Sequence, residues 1–277
     1  MTLDKEMIKS PQMWQLLMEP VASSLHVMAF SPFEHHALIS GDIPLDATMP
    51  ALSAFQEAVY SNSLLTSDFR SVTVLLPQER FLVIPSEGEL SEDAALEAFS
   101  KAFPAPNPEG TGGQLLTEHL QGLHCSVAME VDKEFLNFLR RTFNNPRITH
   151  TLAPQALYFN TGNRLRTRGK MFVNLHDSRA DVVVLGLGQG APLLLNSYKV
   201  RDPRDALYYV MAARTAFSID DTEEIIIAGE PEARTAVSGL LRRHVRYVMP
   251  AIVPSAMFKA GRAVLRTPFE LIVAPLV

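Results

Sequence analysis

The chain has 277 residues, a net charge of −5 at neutral pH, and a composition that is 47% hydrophobic and 20% charged. These totals exclude a disordered chain, argue against nucleic acid as a partner because the basic residues are few and spread out, and suit two domains of ordinary size. No run of 18 apolar residues occurs, so no membrane span is expected, and the single cysteine, Cys125, leaves no intrachain disulfide, which fits a cytoplasmic protein. The start, Met1 to Glu6, has no basic stretch leading into an apolar one, so no secretory signal is expected.

Leu25–Phe30 reads as a first strand, Ser31–Glu34 as a turn and His35–Ser40 as a second strand ended by Gly41. Pro50 precedes a helix with Leu52, Phe55, Ala58 and Val59 on one face. Ser71–Leu76 and Phe81–Ile84 are apolar strands, Ser91 caps a helix running through Ala102, and Pro104–Gly113 is rich in loop-forming residues. Ser126–Met129 is a strand, and Asp132 caps a helix with a wide apolar face around Phe135, Leu136, Phe138 and Leu139. A strand at Ile148–His150 and a helix from Pro154 to Asn160 close the first half.

The second half repeats the pattern. Met171–Leu175, Asp181–Leu185 and Pro192–Tyr198 read as three consecutive strands, the last two joined across Gly186–Gly190. That glycine run lies between two strands, so it is a hairpin connection and not the start of a dinucleotide site. A helix over Pro203–Phe217, a strand at Ile225–Ala228 and a helix over Pro231–His244 follow, with late strands expected at Tyr247–Met249 and Phe269–Val273. Each half is therefore a strand meander followed by alternating helix and strand, which is the signature of a duplicated α/β unit. The halves differ in charge. Residues 1–160 carry 9 Lys+Arg against 19 Asp+Glu, and residues 161–277 carry 16 against 11, which would favour cleft closure or self-association.

The order and three local stretches resemble the actin-like ATPase superfamily, in which each of two domains has a ribonuclease-H-like core. Asn174-Leu175-His176-Asp177-Ser178-Arg179-Ala180-Asp181-Val182-Val183-Val184-Leu185 is similar, without a gap, to the family's second phosphate loop, Asp-Leu-Gly-Gly-Gly-Thr-Phe-Asp-Val-Ser-Ile-Leu. Ala153–Tyr158 resembles its connecting-helix signature, and Ile225–Glu230 its adenosine loop. The whole pattern is closer still to an uncharacterised domain-of-unknown-function family of actin-like proteins from Bacteroidetes. The resemblance implies a first domain over residues 1–162 and a second over 163–277.

It also implies a nucleotide cleft at Asn174, Asp177, Asp181 and Gly229. The residues oppose its usual chemistry. A phosphate loop needs small residues so that successive N–H groups can approach phosphate oxygens. Asn174 stands in place of the leading Asp, and His176, Asp177 and Ser178 stand where glycines would. The first loop, placed at Val27–Pro32, has no acid and no glycine, and Glu230 follows Gly229 in the adenosine loop. No cofactor is therefore expected, ATP with Mg²⁺ being the one candidate the resemblance supplies. The expected role is a non-catalytic cytoplasmic scaffold that docks a protein partner. The alternatives are a nucleotide-binding ATPase and, behind it, a small-molecule kinase. Arg164, Arg166, Arg168 and Lys170 alternate and offer a docking stripe or a solvated face; His35-His36 has no third ligand at metal spacing.

Overall fold

The computed structural model describes residues 7–34, 37–105, 112–161, 170–176, 178–186, 190–220 and 222–277. The basic stripe at 164–168, His35-His36 and Asp177 lie outside them.

The first sheet is built from β1 (Gln15–Pro20), β2 (Ser24–Ser31), β3 (Ala37–Pro44), β4 (Ser71–Leu76) and β8 (Arg147–His150), ordered β3-β2-β1-β4-β8. Its first three strands form an antiparallel meander, while β4 runs parallel to β1 and β8 parallel to β4. The parallel step from the meander to β4 is made by α1 (Ala51–Ser61), which buries Ala54, Phe55, Ala58 and Val59. Between β4 and β8 the chain inserts β5 (Phe81–Pro85), α2 (Glu92–Ala102), β6 (Gly113–Leu120), β7 (Cys125–Asp132) and α3 (Lys133–Thr142). The three inserted strands form a separate antiparallel sheet, β5-β7-β6. Ser91 and Asp132 cap the inserted helices by accepting from Ala94 N–H and Phe135 N–H.

After β8 comes α4 (Leu152–Thr161), with five consecutive buried residues from Leu152 to Ala156. A helix buried all round must be covered on every side; α4 lies against β8, α7 (Phe269–Val273) and two strands of the second sheet. That second sheet contains β9 (Lys170–Leu175), β10 (Arg179–Leu185), β11 (Leu194–Lys199), β12 (Ile225–Gly229) and β13 (Val248–Pro250). Its order, β11-β10-β9-β12-β13, and its strand directions repeat those of the first sheet. The helices α5 (Pro203–Ala216) and α6 (Pro231–Leu241) make its crossovers. Asp202 caps α5, and Pro203 occupies the first turn, where no N–H is missed. The duplicated α/β architecture expected from the sequence is present.

Among the described residues, three apolar clusters form the core. One lies between the first sheet, α1, the inserted sheet and α4, and takes in Phe172, Val183 and Leu185 of the second sheet. Another packs α5 and α6 on the far face of the second sheet. In the third, residues after β13 cross back to cover Leu17, Met28, Phe30, Leu38 and Leu75 of the first sheet.

Four expectations need correction. Leu25–Phe30 belongs to the second strand and Gln15–Pro20 is the first, so Val27–Phe30 lie inside β2 and not in a loop. The connection equivalent to the second-half turn is Val21–Ser23. Gly113 opens a strand that reaches Leu120, hydrogen-bonded to β7 along its length. Phe269–Val273 is a helix, because Pro268 precedes it and Glu270, Leu271, Ile272 and Val273 are all buried, with no alternation to sustain a one-faced strand.

Candidate functional site

The two sheets place equivalent residues at one point. Glu19 is the fifth residue of β1 and Asn174 the fifth of β9, and each is followed by one more strand residue before the chain turns into the next strand. The turns close alike: Val21 N–H donates to Ser24 O at 2.9 Å, and His176 N–H to Arg179 O at 2.8 Å. Across the ladder Glu19 faces His26, and Asn174 faces Asp181. Period-two alternation puts Met171, Val173 and Leu175 into the α5–α6 core and turns Phe172 and Asn174 to the opposite face, towards α7.

Arg179 is the centre of the arrangement. Its Nε donates to Asp181 Oδ1 at 3.1 Å, and its Nη2 donates across to the other sheet, to Glu19 Oε1 at 3.2 Å. Asp181 also accepts from Ser197 Oγ at 2.7 Å and from Gln155 Nε2, on α4, at 2.9 Å. His176 Nε2 stands 3.3 Å from Asp181 Oδ2 and 3.0 Å from Arg179 Nη2. Asn174 Nδ2 donates to Glu270 Oε2 at 2.6 Å. Glu19, Asn174, Asp181 and Glu270 are all fully buried.

A buried charge persists only where partners offset its lost hydration. Burial alone would raise Asp181, but Arg179, His176 and the Ser197 hydroxyl outweigh it and hold the carboxyl far below the usual range. Burial also opposes the Arg179 charge, yet Asp181, Glu19 and Glu270 hold the guanidinium above the usual arginine range. Glu19 is pushed well up by burial, then by the charge of Glu270 and a hydrogen bond to it, despite Arg179. Burial works against ionised Glu270 too, but His176, the hydrogen bond from Glu19 and Arg179 bring it down. The two carboxyls therefore oppose one another's ionisation, with Glu19 held towards its protonated form and Glu270 towards its ionised form. Glu19 Oε2 and Glu270 Oε1 are both buried without a hydrogen-bond partner among the described residues.

Beside this cluster is a cavity of about 360 Å³ lined by Asn174, His176, Gly229, Arg234, Thr267 and Glu270, among others. Gly229 ends β12 with φ +108°, and a Cβ there would overlap the backbone nitrogen and carbonyl oxygen of Leu175. Only glycine permits this approach of β12 to β9. Among the described residues, no group of three or more His, Cys, Asp or Glu is arranged to hold a metal ion.

Of the expected site residues, Asn174, Asp181 and Gly229 come together here. Glu19, Glu270, Arg179 and Gln155 were not expected. Glu19 had a legible signal, an acid ending the apolar run Leu16-Leu17-Met18 before a short turn. Glu270 had one as well, a lone acid inside Phe269-Glu270-Leu271-Ile272-Val273.

This duplicated meander with helices between its sheets is the actin-like ATPase fold. The chain is similar to a Bacteroides thetaiotaomicron protein described as having an actin-like ATPase fold and unknown function, with a TM-score of 0.77 at 16% identity over 95% of this chain and 96% of that one. The type IV pilus biogenesis complex PilM–PilN matches with a TM-score of 0.60 at 13% identity, over 96% of this chain and 99% of that one. No curated protein sequence matches this chain. Residues 14–248 match the family described as protein of unknown function DUF3822, and the chain belongs to that family.

Proposed function

We propose that this protein is a non-catalytic, cytoplasmic member of the actin-like class that uses the fold to dock a protein partner. The observation that carries the reading is the Arg179 guanidinium, which spans Glu19 of one sheet and Asp181 of the other. A fixed internal cation already neutralises the carboxylates facing the cleft, and the bond to Glu19 ties the sheets together. The residues fit Mg-ATP poorly. Neither Val21–Ser23 nor the described turn residues His176 and Ser178 include a glycine, and Gly229 is committed to strand packing. No hydrolytic step is derived for them. The PilM–PilN match supports docking as a use of this fold.

The two-domain division at 162/163 belongs to the same reading, with residues after β13 folded back onto the first sheet. No helix among the described residues is long and apolar enough to cross a membrane, which is compatible with a cytoplasmic docking protein. Isothermal titration with ATP and ADP in the presence of Mg²⁺ tests the proposal. The expected outcome is no saturable heat and no turnover above a protein-free blank, for wild type and Asp177→Ala alike. Tight binding with turnover lost on that substitution would replace this reading with a nucleotide-binding ATPase.

A further inference from the structure

The segment 255–277 is held to the first sheet by few devices. Its apolar side chains Met257, Val264, Leu271 and Ile272 lie over Leu17, Met28, Phe30, Leu38 and Leu75. Thr267 Oγ1 donates to Ser40 Oγ at 2.8 Å, Glu270 accepts from Asn174 Nδ2, and its carboxyl lies against that of Glu19, each buried with one oxygen lacking a hydrogen-bond partner. The backbone breaks at Gly261, with φ +71° between two short helical pieces. The same segment supplies one wall of the cavity through Val264, Thr267, Phe269, Glu270 and Ile272.

We propose that the Glu19–Glu270 carboxyl pair is a proton-operated latch on segment 255–277, closed while one proton lies between the two groups and opened, together with the cavity wall, when it leaves. The surrounding charges set the direction. β10 contributes Arg179 and Asp181, the turn before it His176, and β2 contributes His26, which is tied at 2.6 Å to Asp42 of β3. His150, at the end of β8, lies behind Arg179 and Asp181. Loss of the shared proton leaves Glu19, Glu270 and Asp181 around one guanidinium in a buried space, where like charges cannot all persist. Glu19 is fixed in a central strand paired on both sides. Glu270 sits on a five-residue helix, so the segment yields.

The sign follows from proton binding. Between its ordinary value of 4.5 and its raised value, Glu19 binds more proton in the latched state than in the open one. Rising pH therefore opens the latch.

Hydrogen–deuterium exchange of the full chain between about pH 5 and 9, corrected for intrinsic rates, tests this. Peptides from β9 and β12 serve as the internal reference. In wild type, exchange in 255–277 should rise relative to the reference by up to about tenfold per pH unit above the ordinary Glu19 value of 4.5, and level off once pH passes the raised value. Glu19→Gln, which is uncharged and still offers an N–H to Glu270, should abolish that rise; Glu270→Gln should do the same if the first variant folds poorly. A flat wild-type profile, or the same rise in a folded glutamine variant, overturns the proposal.

Discussion

Replacing Arg179 with Met tests whether the buried ion cluster holds the sheets together. The side chain is 15% exposed, and the carboxylates it bonds are fully buried. Removing one member of a buried pair typically costs about 3–5 kcal/mol, because the remaining charge is stranded. The lower end applies here. Glu19 is held towards its protonated form, Ser197 and Gln155 still donate to Asp181, and Asn174 still donates to Glu270, so the carboxylates left behind stay partly served. We expect a loss of about 3 kcal/mol. Urea unfolding followed by fluorescence of the buried Trp14 measures it. Asp181→Asn in the same background removes the stranded charge, so the double variant should recover much of the loss, with a coupling of about 1–3 kcal/mol. A loss under about 1 kcal/mol, or strict additivity of the two substitutions, would refute the reasoning.

His150 gives a pH signature. Burial lowers its pKa from 6.5 to about 4, against the opposing effects of the Gln78 carbonyl and Asp181. Between those values the native state binds fewer protons than the unfolded one, so stability drains as pH falls, by about 3 kcal/mol at most. His150→Gln should lower stability at neutral pH and flatten the urea midpoint between pH 6.5 and 4.5; an unchanged slope there would exclude His150 as its source. Asp181 and Glu270, both held low, lose their contribution only below about pH 4.5. Gly229→Ala forces a Cβ into the Leu175 backbone and should cost about 3 kcal/mol or more in the same unfolding assay. A near-neutral effect would mean that β9 and β12 can separate without penalty.

The second half was far more legible than the first, for physical reasons. Val182 to Leu185 form a strand buried on both faces, and such strands are uninterrupted apolar runs that stand out in any sequence. β1 is equally buried, yet Leu16-Leu17-Met18 is short and rich in residues that favour helices as readily as strands, so pattern alone passed over it. That omission displaced the first loop by a whole strand and hid Glu19. β6 shares only Gly113 with the loop signal of Pro104–Gly113, and its other residues give no clear strand pattern because most are only half buried. Asn174 and Asp181 were found by resemblance to a motif. Arg179 stood inside that motif, but nothing local says that it reaches 160 positions back to Glu19. Contacts of that kind are set by the packing of two sheets, and no window of sequence contains both ends.

The return of segment 255–277 to the first sheet bears on how the chain acquires its structure. Thr267 and Ser40 are hydrogen-bonded across 227 positions, so the face formed by Leu17, Met28, Phe30 and Leu38 is covered only after the residues beyond 255 have been made. Until then that face is a sticky apolar surface. Closing so long a loop is the slow kind of step, since its entropy must be lost before the contacts repay it. A nascent chain lacking this segment is therefore the species most exposed to aggregation and to chaperone capture.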